Sequence, residues 1–276
     1  MLVPDRGEFF LRDTGPVHPG DGPPVMLLHG WLVSADLNWV GAYDALVDSG
    51  YRVLAIDHRG HGRGLRAIAP FRLADCAADA AAVLRELGVG PATVVGYSMG
   101  GVIAQLMARD HPDVVGGLVL SGTCQHFQDP ATRRTWQWMG LMGLVLGLAP
   151  RPVYTAGLRR LGLRLDARTA WWLSELMRHE ARDVAEAGRE LGRFDSRPWL
   201  QGLGGHDSIP AAMVMTTRDT AVAPSKQREL AAAVGARVFE VGLDHLELVD
   251  RAAEYNPALL DAVAEVGARR GAAAAL

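Results

Sequence analysis

The sequence predicts an α/β fold: a mostly parallel, doubly wound sheet flanked by helices, carrying an all-helical insertion. Three observations predict it. Short apolar runs alternate with helical patterns at both ends of the chain, as expected of strand–helix–strand units. Several runs are β-branched without polar alternation, as in strands covered by helices on both faces. From about 123 to 210 the strand pattern stops and helical periodicity takes over.

In chain order, "LVPDRGEFFLRD" (2–13) reads as an antiparallel hairpin at a sheet edge, turning at Asp5-Arg6-Gly7. "VMLLHG" (25–30), "YRVLAID" (51–57), "ATVVGYS" (92–98), "VVGGLVLSG" (114–122), "AAMVMTT" (211–217) and "ARVFEVG" (236–242) read as buried strands. Helical patterns fall near 38–49, 73–87, 99–110, 225–234 and 246–266, and the tail "GARRGAAAAL" reads as frayed. Residues 1–122 and 211–276 then form the core, and 123–210 form a cap over the carboxyl ends of the strands, where such sheets bind ligands. Five of the seven tryptophans lie in that insertion: Trp136, Trp138, Trp171, Trp172 and Trp199.

A chain of 276 residues suits one large core with an insertion. Its net charge of −3 gives no electrostatic case for nucleic acid. Lys226 is the only lysine, which reads as genome bias. Cys76 and Cys124 make neither a metal spacing nor a disulfide framework, so a reducing, cytoplasmic setting is expected. No signal peptide is apparent. The longest apolar stretch, "MGLMGLVLGLAP" (139–150), is shorter than the roughly 20 residues that span a bilayer. No integral membrane segment is expected, while peripheral membrane contact stays open.

"VVGYSMGGVIAQ" (94–105) carries the chemistry. Gly96-Tyr97-Ser98-Met99-Gly100 is G-x-S-x-G between a strand and a helix. A turn that sharp forces the serine into strained geometry and projects its hydroxyl, while the flanking glycines remove clashing Cβ atoms. A serine nucleophile needs a base, and the base needs orienting. "MVMTTRDTAVAP" leaves its strand in a loop with Asp219, and "RVFEVGLDHLELVD" leaves the next in a loop with His245. Ser98, Asp219, His245 is the chain order expected of such a triad. Asp207 and Asp244 compete for the acid's role. Asp207 precedes its strand, and Asp244 adjoins the histidine and struggles to reach its far nitrogen. "LLHGW" (27–31) ends a strand in His-Gly, which allows the N–H of Trp31 to join that of Met99 in an oxyanion hole. His29 itself reads as structural.

The set "LLHGW", "DHRGHGRG" (57–64), "GYSMGG", Asp219 and the His245 loop resembles the α/β-hydrolase-fold superfamily, in particular cap-bearing bacterial serine esterases and lipase-like enzymes. That resemblance covers nearly the whole core and implies a cofactor-free hydrolase working through an acyl-enzyme on Ser98. Asp244 stands where family members commonly have Gly, and it places an extra carboxylate near the imidazole. Gly64 stands where Ser is frequent. His58 and His61 lack a third metal ligand and read as loop structure. Serine at the elbow argues against kinship of function with epoxide hydrolases and haloalkane dehalogenases, which use aspartate. "HGWLVSADLNW" (29–39) also resembles the oxyanion loop of cofactor-free perhydrolases. Carbon–carbon bond hydrolases share the triad, often with Trp after the histidine where Leu246 stands here. A reading of another class is a ligand-sensing receptor on this fold with little turnover.

The insertion carries what substrate information there is. "WQWMGLMGLVLGL" (136–148) suggests an apolar pocket for a hydrophobic ester, with Trp138, Met142 and Tyr97 as wall candidates; the plainer reading makes these residues the cap's own core. Arg151, Arg159, Arg160, Arg164 and Arg168 read as a solvated helix face, the alternative being that they steer an anionic head group or a membrane surface.

Overall fold

A computed structural model describes residues 1–15, 23–129, 136, 138–160, 166–200 and 209–274. Among the described residues there are nine strands: β1 (Leu2–Val3), β2 (Gly7–Glu8), β3 (Leu11–Asp13), β4 (Val25–Leu28), β5 (Val53–Ile56), β6 (Ala92–Tyr97), β7 (Val115–Ser121), β8 (Ala211–Thr216) and β9 (Arg237–Val241). β1 and β2 form a small antiparallel hairpin. The other seven form one sheet in the order β3-β5-β4-β6-β7-β8-β9. Only β3 runs antiparallel. The opening segment is thus a hairpin plus a separate edge strand, rather than one hairpin at the edge. Asp5, at φ 60°, makes the turn.

The helices are α1 (Ala35–Trp39), α2 (Tyr43–Asp48), α3 (Leu73–Glu86), α4 (Met99–Asp110), α5 (Met139–Leu148), α6 (Pro150–Arg160), α7 (Ala167–Leu176), α8 (Ala181–Arg193), α9 (Arg197–Leu200), α10 (Pro224–Ala233) and α11 (Ala252–Ala274). Successive strand residues feed opposite cores. Met26 and Leu28 join Leu84 and Ile103 on one face. Val25 and Leu27 join Trp39, Leu46, Tyr255 and Val263 on the other. Both faces are dry, which is why the strands read as continuous apolar runs. Each such side chain contributes roughly 1.5–3 kcal/mol by burial.

The helix expected near 38–49 is broken into α1 and α2. A Cβ at Gly41 would lie 2.4 Å from that of Ala252, so the break admits the start of α11. The Gly41 carbonyl accepts from Asn256 Nδ2 at 2.8 Å. The helix expected over 246–266 is a 3₁₀ turn at Glu247–Val249 followed by α11, which runs on to Ala274. The described part of the tail is therefore helical where fraying was expected, and residues 275–276 lie outside the described residues. Its alanines favour helix, and Arg269 and Arg270 tie it to the carbonyls of Ala211 and Pro91.

Between β7 and β8 the regular elements among the described residues are helices, joined by loops that make one isolated bridge, His126 with Asp195. α8 docks on the core, with Ala187 and Leu191 buried in the cluster that holds Ile103. Hydrogen bonds tie this insertion to the loops after β4 and β5. Ser34 Oγ donates to Glu175 at 2.9 Å, Gly62 N to His179 Nδ1 at 2.8 Å, and Glu180 N to the Gly60 carbonyl at 2.8 Å.

Sheet order decides where a site forms. From β4 the chain moves to β5 on one side and returns to β6 on the other. α1 and α2 cover one face and α4 the other. The loops after β4 and β6 therefore part company side by side, and the crevice between them is where ligands bind in such sheets.

Candidate active site

Ser98 occupies the turn from β6 to α4 with φ 53° and ψ −115°. A positive φ at a residue with a Cβ is strained, and such strain persists only where the surroundings enforce it. Here they do. The Ser98 N–H donates to the Ser121 carbonyl at 2.9 Å. A Cβ at Gly96 would lie 2.3 Å from the Gly100 carbonyl oxygen, and one at Gly100 would lie 2.1 Å from that of Leu28. Both contacts are with backbone, so neither glycine tolerates a side chain. β6 and α4 pack tightly because these positions carry none.

The other two members arrive from the ends of β8 and β9. Asp219 is buried and its carboxylate is fully engaged. Oδ1 accepts from the N–H groups of Ala221 (2.9 Å) and Val222 (2.7 Å). Oδ2 accepts from Thr216 Oγ1 (2.7 Å) and Gln227 Nε2 (3.2 Å). Oδ2 also lies 2.8 Å from His245 Nδ1. On the far side of the ring, His245 Nε2 is 3.0 Å from Ser98 Oγ. With Nδ1 donating to the carboxylate, Nε2 is left to accept the serine proton. Gln227 and Thr216 escape a motif search because they sit on α10 and inside β8, with nothing in their spacing to mark them.

Asp244 does not share the imidazole. It accepts from the His245 backbone N–H at 2.6 Å and from Thr220 N and Oγ1 at 2.8 and 2.9 Å. Asp207 lies outside the described residues.

The loop after β4 passes beside Ser98, and a Cβ at Gly30 would be 3.4 Å from the serine's own. Asn38 Oδ1 holds the Gly30 N–H at 2.9 Å, and Trp31 Nε1 donates to the Val184 carbonyl at 2.9 Å. Among the described residues, neither the Trp31 nor the Met99 backbone N–H is spent on a hydrogen bond. Met99 opens α4, so its N–H has no partner one turn back and carries the helix's positive end.

His29 is buried and structural in its bonding. Nδ1 meets the Gly30 carbonyl at 2.8 Å and Nε2 accepts from His58 N at 2.9 Å. Its ring, with those of His58, His61 and His179, forms a buried chain with centroids 4.2 to 5.6 Å apart. Burial, then the neighbouring His61 imidazole, pushes His58 and His179 down to about 3, and burial pushes His61 itself down to about 4. His29 is lowered by the same causes. Among the described residues, no three histidine, cysteine or acidic side chains are arranged to hold a metal ion. Cys76 and Cys124 are free and buried.

The expected pocket wall needs correction. Tyr97 is buried beneath the triad: its hydroxyl donates to the His245 carbonyl, and its ring centroid lies 5.2 Å from that of His245. It is a floor, not a wall. Trp138 caps α5 on the outside of the molecule and is exposed. Met142 is half-buried. The insertion's tryptophan near the site is Trp136, 6.0 Å from the Trp31 ring and T-shaped against Phe127. Of the two tryptophans of "WQW", Trp136 packs inward and Trp138 is exposed.

A family model described as the alpha/beta hydrolase fold matches residues 23–247. The chain belongs to the α/β-hydrolase fold family. A non-heme haloperoxidase from Rhodococcus erythropolis is 40% identical over 123 residues, covering 44% of this chain and 43% of that protein. A bifunctional esterase/perhydrolase from Acinetobacter calcoaceticus is 38% identical over 121 residues, 44% of this chain and 42% of that one. The chain thus spans less than half the length of these curated relatives. In fold it is similar to the solved structure of an esterase from Exiguobacterium antarcticum, with TM-score 0.77 and 19% identity, covering 93% and 95% of the two chains. No described helix is long and apolar enough to cross a membrane by itself.

Proposed function

We propose that the chain is a serine hydrolase that cleaves carboxylic esters through an acyl-enzyme on Ser98, with 123–210 as a cap over the site. The observation that carries this reading is the hydrogen-bonded series Ser98 Oγ, His245 Nε2, His245 Nδ1, Asp219 Oδ2. His245 takes the Ser98 proton as Oγ attacks the ester carbonyl carbon. The oxyanion is held by the N–H groups of Trp31 and Met99, which have no other partner among the described residues. Collapse breaks the bond to the alcohol oxygen, which leaves with the proton from His245. Water then attacks the acyl carbon, gives its proton to His245, and releases the acid as Ser98 is reprotonated. Asp219 stabilises the imidazolium and holds its tautomer throughout. Trp31, Trp136 and Phe127 supply the apolar surface that suits a hydrophobic acyl or alcohol part.

A second reading is favoured by the haloperoxidase and esterase/perhydrolase relatives. Hydrogen peroxide would replace water in the second half, giving a peracid from the same acyl-enzyme. The test is turnover of p-nitrophenyl esters from acetate to decanoate by the wild type and by Ser98→Ala, with peracid formation measured in parallel. Hydrolysis abolished in the variant supports the proposal. Absence of any turnover by the wild type across the series opposes it and favours a ligand-sensing role.

A further inference from the structure

We infer that α5 and α6 form a docking face for an anionic lipid surface. The inference does not depend on the chemistry at Ser98. Its first ground is an inverted helix. On α5 the buried side consists of Met139 and Leu146 with small residues between them, and a Cβ at Gly143 would lie 2.7 Å from that of Ala185 on α8. Four further large apolar side chains point the other way. Leu141, Leu144, Val145 and Leu148 recur at three- and four-residue steps, and all are exposed, Leu144 by 58% and Leu148 by 78%. Trp138, one turn earlier, extends the stripe and is 62% exposed. A helix on a water-facing surface has the opposite pattern, with apolar residues inward and charges outward. Contiguous exposed apolar surface of this kind marks an interaction site.

Charge decides the occupant. From Pro130 to Leu165 the sequence holds six arginines and no aspartate or glutamate, in a chain whose net charge is −3. Of these, Arg151, Arg159 and Arg160 lie on α6, which leaves α5 at a bend of 114°. No described acidic side chain pairs with any of the three. Arg151 and Arg159 flank a surface concavity floored by Pro152, Thr155 and Ala156. An apolar stripe on α5, followed on α6 by guanidinium groups that no described acid pairs, matches an acyl boundary beside anionic headgroups. Ten residues of α5 extend about 15 Å, half of a hydrocarbon core of about 30 Å, so the helix lies in the interface instead of crossing it. The buried side of α5 is also close to the candidate site. A Cβ at Gly188 on α8 would meet Met139 Sδ at 2.6 Å and Trp31 Cζ2 at 3.0 Å, so one helix separates α5 from the oxyanion loop.

The test is flotation of the full chain with phosphatidylcholine vesicles, with and without phosphatidylglycerol. Binding is expected to the anionic vesicles and to weaken in high salt. Leu144→Ser with Leu148→Ser should lower the partition coefficient by at least about tenfold, since each buries an acyl-facing side chain. Arg159→Gln with Arg160→Gln should lower it about fivefold per residue on anionic vesicles only. All four positions are exposed or half-exposed, and equal thermal midpoints of the variants confirm folding. No binding to either vesicle, or binding unchanged in both double variants, overturns the inference. So does a dimer in sedimentation that both leucine substitutions dissolve in the absence of vesicle binding, since the stripe would then belong to a second copy.

Discussion

Asp244 Oδ1 accepts the backbone N–H of His245 at 2.6 Å, and in doing so leaves the imidazole to Asp219. The same carboxylate takes the N–H and hydroxyl of Thr220, stapling the β9 loop to the β8 loop. Two acids adjoin one histidine with separate work: one orients the ring, the other fixes the loop on which the ring stands.

Asp219→Asn should therefore lower kcat by about 10⁴-fold, the scale seen when a triad base loses its orienting carboxylate. Asp244→Asn keeps an acceptor oxygen for the staple and should cost less than about tenfold by comparison. Steady-state kinetics on one ester distinguishes them. Equal losses would contradict the division of labour.

Gly100→Ala should destabilise the fold by about 1–3 kcal/mol or more, because its methyl group meets the Leu28 carbonyl and neither strand nor helix can shift cheaply. Gly267→Ala on α11, with nothing within 4 Å of the added methyl, should instead stabilise by up to about 1 kcal/mol. Urea unfolding of the two variants gives the signs directly.

Acid should unfold the protein early. His58, His61 and His179 are held neutral down to about 3 or 4 by burial, and His29 is lowered as well. In the unfolded chain each takes a proton near its ordinary value of about 6.5. Between these limits the unfolded state binds more protons. Stability is thus present in full above about pH 6.5 and falls as pH drops below it, by up to about 1.4 kcal/mol per pH unit per histidine. Buried Asp57 and Asp183, raised by burial, act in the opposite sense. His179→Gln, whose amide oxygen can still accept from Gly62 N, should flatten the slope between pH 6.5 and 4.5. Unchanged slopes would show that these rings are not the groups responsible.

Trp136→Ala should lower kcat/KM for longer esters, since its ring packs on Trp31 beside the oxyanion loop. Trp138→Ala should leave kcat/KM for soluble short esters within about twofold, as expected of an exposed surface side chain. A chain-length series on both variants checks this, and reversed effects would return Trp138 to the pocket wall.

The proposed triad is legible in the sequence because each member terminates a strand: Ser98 after β6, Asp219 after β8, His245 after β9. Strand ends of a parallel sheet lie along one edge, so order along the chain becomes proximity in space. The inner support is not legible. Gln227 reaches Asp219 from α10, and helical periodicity does not reveal a polar residue turned inward to a loop. Tyr97 reads as a pocket residue because it adjoins Ser98, but strand alternation turns it to the opposite side, under His245. The stretch 139–148 is apolar nearly all round, so no periodicity shows which face is inward. That is settled by Gly143 fitting against Ala185, a contact between residues more than forty positions apart.

The central claim is that Ser98 is the nucleophile, and it is tested most directly by covalent labelling. A fluorophosphonate probe, followed by peptide mass spectrometry, is expected to place one phosphonyl adduct on Ser98, with labelling lost in Ser98→Ala of unchanged thermal midpoint. An adduct on another residue, or labelling that persists in Ser98→Ala, would contradict it.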